Sequence, residues 1–391
     1  TGFRERLQTG LHHAMPSATR PLSQQAKKSS ISQRGSEMSE VQLYIRGHIY
    51  SGWTDATVTK SLDAIYGEAR LSLTRLFDEG PATVPSIRLD DDARLTVDGE
   101  TVIVGYIKSR DLELDEDGFD FDVVIQDNTS RLVRGSVVNF PAEWKNQTAL
   151  QIIENICKPF GISVSAQVPV GKPFEKFTAQ PGDTAAKVIE RVCRHRALMV
   201  YADSNSQLIV TTAKAATLLS DEIRLDADNG NALSLSLSED IADRHNEYIC
   251  HTQSPGSDWA TSEHSKVTGR AKDHGISSYC PLVIIADEPG DAAAMTKLAT
   301  TTAAINAARS ESRDYLVSGL RGSNGKLWDI NKKVPVNDSI DGLRATRLIS
   351  KIVFSISDEK ADETRLTVTH PDAYELVAEP ETKPGEVWNA D

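Results

Sequence analysis

Four histidines fall within residues 245–274: His245, His251, His264 and His274, with Cys250 and Cys280 beside them. Imidazole and thiolate are the commonest zinc ligands, but a site needs three or four of them converging at fixed geometry. The histidine spacings of six, thirteen and ten residues match no ligand pattern. The group reads instead as loop histidines in contact with water.

Carboxylates cluster at Asp90-Asp91-Asp92 and at Asp115-Glu116-Asp117-Gly118. A calcium loop of the EF-hand kind places oxygen ligands at alternate positions and closes on a glutamate. Neither run does so, and both read as acidic turns at hairpin tips. A phosphate loop, a dinucleotide fingerprint, H-E-x-x-H and G-x-S-x-G are all missing from the sequence. Carboxylate pairs of the glycosidase type depend on separation in space, which the sequence leaves open. No residue is therefore assigned a catalytic, cofactor-binding or metal-ligating role, and an enzyme is not expected.

Cys157, Cys193, Cys250 and Cys280 lie far apart, without a C-x-x-C pair. Cys157 and Cys193 fall on apolar faces of expected helices. They read as buried free thiols, as suits a reducing compartment. Trp53, Trp144, Trp259 and Trp328 read as exposed rings able to stack on a sugar or a partner chain, although packing is the commoner use of tryptophan.

The chain has 391 residues, with 39% hydrophobic and 25% charged residues, which describes an ordinary globular protein of two to four domains. No apolar run is long enough to span a membrane. The net charge is −13. Residues 1–37 hold six basic residues against two acidic, a net +4, so the rest carries −17. So acidic a body repels phosphate and argues against general nucleic-acid binding. The first 37 residues are rich in Ser, Gln and Arg and read as a disordered or non-native leader ahead of Met38.

Period-two patterns dominate both ends. Leu43, Ile45, Gly47 and Ile49 read as one strand, and Ala69, Leu71 and Leu73 as another. Leu95-Thr96-Val97, the turn Asp98-Gly99, the run Thr101–Ile107, the acidic turn and then Phe119, Phe121, Val123 and Ile125 follow. Near the C-terminus the layout repeats. Gly322–Tyr374 carries a turn at Asp341-Gly342, then Ile352, Phe354 and Ile356, a turn at Asp358–Lys360, and Leu366 with Val368. Two divergent small β-barrels or curved sheets are expected.

The middle differs. Leu150, Ile152, Ile153, Ile156 and Cys157 are spaced for a helix ended by Pro159, and Val188, Ile189, Val192 and Cys193 for a second helix capped by Asp183. A hairpin follows around Asp203–Ser206. Leu233, Leu235 and Leu237 alternate with serines in a strand, Ser254–Ser278 reads as a long loop, and Asp291–Arg313 as a long helix. The expected class is α+β and multi-domain: two related β-barrel domains (38–141 and 221–375, the latter with the long helix) flank a small α+β domain (142–220). Residues 376–391 read as a loose tail.

This order of parts resembles the baseplate hub of contractile-tailed bacteriophages, of the phage Mu type found also in Mu-like prophages. The likeness covers about residues 39–375. It is carried by Ser51-Gly52-Trp53 with Val58–Ile65, by Gly99–Ile107, by Phe177–Thr184, and by Lys326–Asn331 with Val334-Pro335-Val336.

The resemblance implies a homotrimer in which two related barrels per subunit present six to the ring. Such a ring joins a hexameric tail tube to a central spike, contacts other baseplate components and surrounds a DNA channel without binding DNA specifically. It further implies a virion tail baseplate protein, assembled in the bacterial cytoplasm, with no membrane insertion of this chain. In that setting Asp120 and Asp122, on the polar face of their strand, are candidate channel-lining residues, and the central domain lies at the periphery. The alternatives are the hub segment of a type VI secretion spike protein, or a tail-associated cell-wall hydrolase with residues 142–220 as its domain.

Overall fold

The computed structural model describes residues 39–76, 84–138, 142–252, 267–286 and 291–378. The leader, Trp259, His264 and most of the tail lie outside them.

The chain opens with β1 (Val41–Ile45) and β2 (His48–Tyr50), which form a hairpin rather than the single strand expected. Arg46 and Gly47 both have positive φ, 49° and 80°, as a two-residue hairpin turn requires. In such a turn Ile45 pairs with His48, so Ile49 lies opposite Tyr44 on the outer face. Leu43 and Ile45 are buried, whereas Ile49 is 57% exposed. The next strands are β3 (Asp55–Ser61), β4 (Glu68–Leu76), β5 (Asp92–Val97), β6 (Glu100–Leu114) and β7 (Gly118–Asp127). Asp98 and Gly99, at φ 50° and 78°, turn β5 into β6. Phe119, Phe121, Val123 and Ile125 all face the core.

A short helix, α1 (Ser130–Arg134), leads to a second layer. There β8 (Glu143–Gln147) and β10 (Phe174–Thr178) pair, and β9 (Val164–Ala166), β11 (Met199–Ala202) and β12 (Leu208–Thr211) form a small sheet. The helices α2 (Ala149–Cys157) and α3 (Ala185–Arg194) pack on these strands around Ile152, Ile153, Val188 and Val192. Thr148 and Gln151 close a reciprocal capping box on α2. The cap of α3 is Thr184, not Asp183 as expected: the Thr184 hydroxyl accepts the Lys187 amide at 3.3 Å. Asp183, one residue earlier, is buried and instead pairs with Lys187 and Arg191.

The chain then returns to the large sheet through β13 (Thr217–Leu218), β14 (Ile223–Leu225) and β15 (Ala232–Glu239). An inserted unit follows: β16 (Glu247–Thr252), β17 (Thr268–Lys272), β18 (Pro281–Ala286) and α4 (Ala292–Arg309). The strand β17 lies where a loop was expected. Its residues are small or polar, and partners define it: β16 pairs along it, and α4 packs so close that a Cβ on Gly269 would meet the Met295 carbonyl carbon at 2.1 Å. The helix is capped by Asp291 and stops at Arg309, short of the expected Arg313, because Glu311 already begins a strand. Met295, Ala299 and Ala303 bury against Tyr248 and Cys250.

The final strands are β19 (Glu311–Ser318), β20 (Lys332–Asp338), β21 (Arg344–Ser357) and β22 (Glu363–Thr369). Pro335 lies within β20, not at its edge. On one side of β20 the parallel partners β13 and β14 match Lys332, Lys333 and Val336–Asp338, leaving Pro335 without a partner there. A residue lacking an N–H is tolerated at such a gap.

Fourteen of the described strands form one sheet with the path β15-β19-β22-β21-β3-β4-β7-β6-β5-β1-β2, and β20 with β13 and β14 to the side. The fold is mostly β with few helices. Closed barrels are not detected among the described residues; β15 and β2 end an open path. One hydrophobic core runs through both end portions, from Val41 to Val368.

Candidate assembly interface

The residues first considered for chemistry do not assemble. His251 Nδ1 lies 2.9 Å from the Thr268 hydroxyl, His245 Nδ1 lies 3.5 Å from Cys280 Sγ, and His274 is exposed in the turn after β17. Among the described residues no three metal-binding side chains gather. Asp115 Oδ1 accepts the amides of Asp117 and Gly118 at 2.9 Å, closing the β6–β7 hairpin tip. Asp91 is buried and paired with Arg46, and Asp90 with Arg131 at 3.0 Å.

Cys157 and Cys193 are buried, and burial pushes both thiols up to about 12. Cys250 is buried too, and Cys280 is exposed. The three described tryptophans of this group are not the exposed platforms expected. Trp53 and Trp328 belong to the main core, and Trp144 packs against Phe177 with ring centroids 6.0 Å apart.

What the fold does build is a repeat. In the first part the sheet order is β1-β5-β6-β7-β4-β3; in the second it is β14-β20-β21-β22-β19-β15. Read along the chain, the strands correspond one to one in the same sequence. The only reversal is β14, parallel to β20 where β1 is antiparallel to β5. The register corresponds as well. The β6–β7 pair shifts between Ile107 and Ser109, and the β21–β22 pair shifts between Ile349 and Lys351. A bulge at the same offset in both long hairpins bends each sheet at the same place.

Among the described residues the two parts are joined by a single strand junction. Beyond its bulge, β21 leaves β20 and pairs antiparallel with β3, from Lys351–Ser61 to Ser357–Asp55. Phe354 faces Val58 and Ile356 faces Ala56, all buried. Lys60, buried opposite Ile352, donates to Ser204 Oγ at 2.6 Å.

Asp127 supports this junction from behind. It accepts the Gly67 amide at 2.5 Å and the Thr129 amide at 2.9 Å, and so holds the start of β4 to the end of β7. Burial raises its carboxyl to about 6 against those hydrogen bonds and the Lys60 charge. In the second part Tyr315, wholly buried, donates to Asp338 at 2.9 Å, and burial with that carboxylate pushes the phenol up to about 12.

Among the described residues the corresponding edges elsewhere have no strand partner. The strand β5 stops pairing with β6 at Tyr106, and beyond the bulge β6 has β7 on one side only. Leu112 and Leu114 are 48% and 63% exposed there. Among the described strands β15 has β19 on one side only, and its alternating leucines are not buried: Leu233 is 56% and Leu237 36% exposed, with Leu235 half-buried.

Three family models match successive stretches of the chain. Residues 40–126 match "Mu phage baseplate assembly protein GpP-like, N-terminal", residues 129–212 match "Baseplate hub protein gp44-like, second domain", and residues 293–377 match "Mu phage baseplate assembly protein GpP, fourth domain". The chain belongs to the phage Mu-type baseplate hub family.

The hub chain is 26% identical over 357 residues to the baseplate hub protein gp44 of Escherichia phage Mu, covering 88% of this chain and 91% of that protein. Among solved structures it is similar to the 43 kDa tail protein of prophage MuSo2 from Shewanella oneidensis. That likeness has a TM-score of 0.75 at 29% identity, covering 86% of this chain and all of that one. A tail protein from Neisseria meningitidis MC58 shares the fold, with a TM-score of 0.71 at 18% identity, over 86% of this chain and 99% of that one. These relatives are structural proteins of the phage tail and not enzymes. The hub chain is accordingly a structural protein of the phage tail baseplate. No described helix is long and apolar enough to cross a membrane.

Proposed function

We propose that three copies of the chain close into a ring that joins a hexameric tail tube to a central spike. One observation carries this reading: the strand order and the bulge of the first part recur in the second. A ring of three such chains presents six near-equivalent sheet faces, so that a threefold object can meet a sixfold one. Closed cyclic symmetry limits the assembly to three copies. An obligate ring of this kind buries more than about 2,000 Å² per interface. The division into 38–141, 142–220 and 221–375 follows the same logic, with the central unit on the outside of the ring and other baseplate components docking around it. Sheets that stay open in one chain would close into barrels across neighbours.

The lumen of the ring would pass DNA. The acidic balance of −13 suits a wall that must not retain a polyanion. Asp120 and Asp122 stand on the non-core face of β7, hydrogen-bonded to Thr74 at 2.7 Å and Ser72 at 2.5 Å, and are the candidate wall residues. Assembly would take place in the bacterial cytoplasm before the tail is complete. Sedimentation or light scattering at micromolar concentration should give the mass of three chains, and electron microscopy an annulus with a central hole. A stable monomer, or a ring without a hole, would overturn the reading.

A further inference from the structure

The geometry points to a specific seam between copies: β15 of one chain pairs antiparallel with the distal half of β6 in the next, in the register that β3 and β21 use within a chain. This rests on the three-copy reading above and adds the strands and the residue pairs.

The register follows from the repeat. Through their shared partners and shared bulge, Ile352, Phe354 and Ile356 of β21 correspond to Arg110, Leu112 and Leu114 of β6. Through β4 and β19, which pair alike with β7 and β22, Ala56, Val58 and Lys60 of β3 correspond to Leu235, Leu237 and Glu239 of β15. Inside the chain Phe354 faces Val58, Ile356 faces Ala56 and Ile352 faces Lys60. Transferred to the bare edges, that pattern sets Leu112 against Leu237, Leu114 against Leu235, and Arg110 against Glu239.

Three features of the chain fit this pairing. Among the described residues neither edge has a strand partner on its outer side, and a strand of the opposite direction would supply one. Both put leucine at the positions that the internal junction buries, on the core-side face of the sheet. Leu112 neighbours buried Phe121 across β6–β7, and Leu235 neighbours buried Tyr315 across β15–β19. The seam would thus extend the core that both repeats already share. The pair in which both residues are charged, Arg110 and Glu239, is of opposite sign, which favours this register: directly facing cross-strand residues of opposite sign attract, and like charges repel. A slip of one residue would turn every leucine to the wrong face.

The occupant is therefore a second copy of this chain. Each contact is head-to-tail, so closure generates a ring with alternating internal and external junctions.

The test is cysteine pairing in the full chain, carrying Cys280→Ser to remove the exposed thiol. Two double variants are made, Leu112→Cys with Leu237→Cys and Glu113→Cys with Ser236→Cys. Adjacent antiparallel pairs alternate between closer and wider side-chain separations, so one of the two is favourably spaced for a disulfide. Mild oxidation should give covalent dimers and trimers from at least one of them. It should give none from the four single variants or from the shifted pair Leu112→Cys with Leu233→Cys.

Mass is measured on every variant before oxidation. Three chains with no cross-link from either matched pair overturns the seam and leaves the ring standing. A monomer throughout overturns the ring and the seam together. Leu237→Asp should convert the trimer to monomers that still melt cooperatively; a trimer that survives this substitution counts against the seam.

Discussion

Phe354 and Val58 face each other across the strand pair that, among the described residues, joins the two repeats, and both are buried. Nearly 300 residues separate them in sequence, yet they belong to one core. The end portions should therefore unfold together. Phe354→Ala removes most of a buried aromatic at the join and should cost about 3–5 kcal/mol. Calorimetry or urea unfolding should show the loss in the transition to which both repeats contribute. Two separate main-sheet transitions in the parent protein would contradict a shared core.

The Asp127 carboxyl gives a pH signature of known sign. Its folded value of about 6 stands above the ordinary 3.8. Between these values the folded chain holds a proton that the unfolded chain has released. This group's contribution is fully present below about pH 4 and is lost as pH rises through 6. The shift corresponds to about 3 kcal/mol. Unfolding free energies of the parent and Asp127→Ala should differ in slope over that window, the parent falling more steeply with rising pH. Parallel curves would remove Asp127 as the cause.

Thiol reactivity should divide the four cysteines. Cys280 is exposed, whereas Cys157, Cys193 and Cys250 are buried with their thiols raised by burial. Since the thiolate is the reactive form, one equivalent should label promptly at pH 8 and three more only on unfolding. Prompt labelling of Cys193 would contradict the packing of α3.

Thr184→Ala should destabilise the chain by about 1 kcal/mol through loss of the α3 cap. Asp183→Ala should act differently, by stranding Lys187 and Arg191. Thermal melts of both variants, with and without high salt, separate these effects: the Asp183 loss should shrink as salt screens the parent's ion pairs, and the Thr184 loss should not.

Much of this fold could be read from the chain, because a half-buried strand writes its burial into alternate residues. Phe119, Phe121, Val123 and Ile125, and again Ile352, Phe354 and Ile356, are buried as their spacing says. The reading failed where phase or partners matter more than pattern. A two-residue turn at Arg46-Gly47 reverses the phase, so Ile49 lands outside although its spacing continues that of Leu43 and Ile45. β17 has almost no apolar residues of its own and exists through β16 and α4. Trp53 and Trp328 looked like surface rings because neither sits in a periodic run. The edges at β15 and β6 were the least legible feature: an alternating leucine strand reads alike whether its partner lies in the same molecule or another.

The α4 unit is inserted between β15 and β19, and the first repeat has only the short stretch between β3 and β4 at that point. Around any closed assembly, ornamented and plain positions must therefore alternate. Such a collar is keyed: a neighbour that grips the ornament can seat in half of the rotational settings that the inner wall alone would accept.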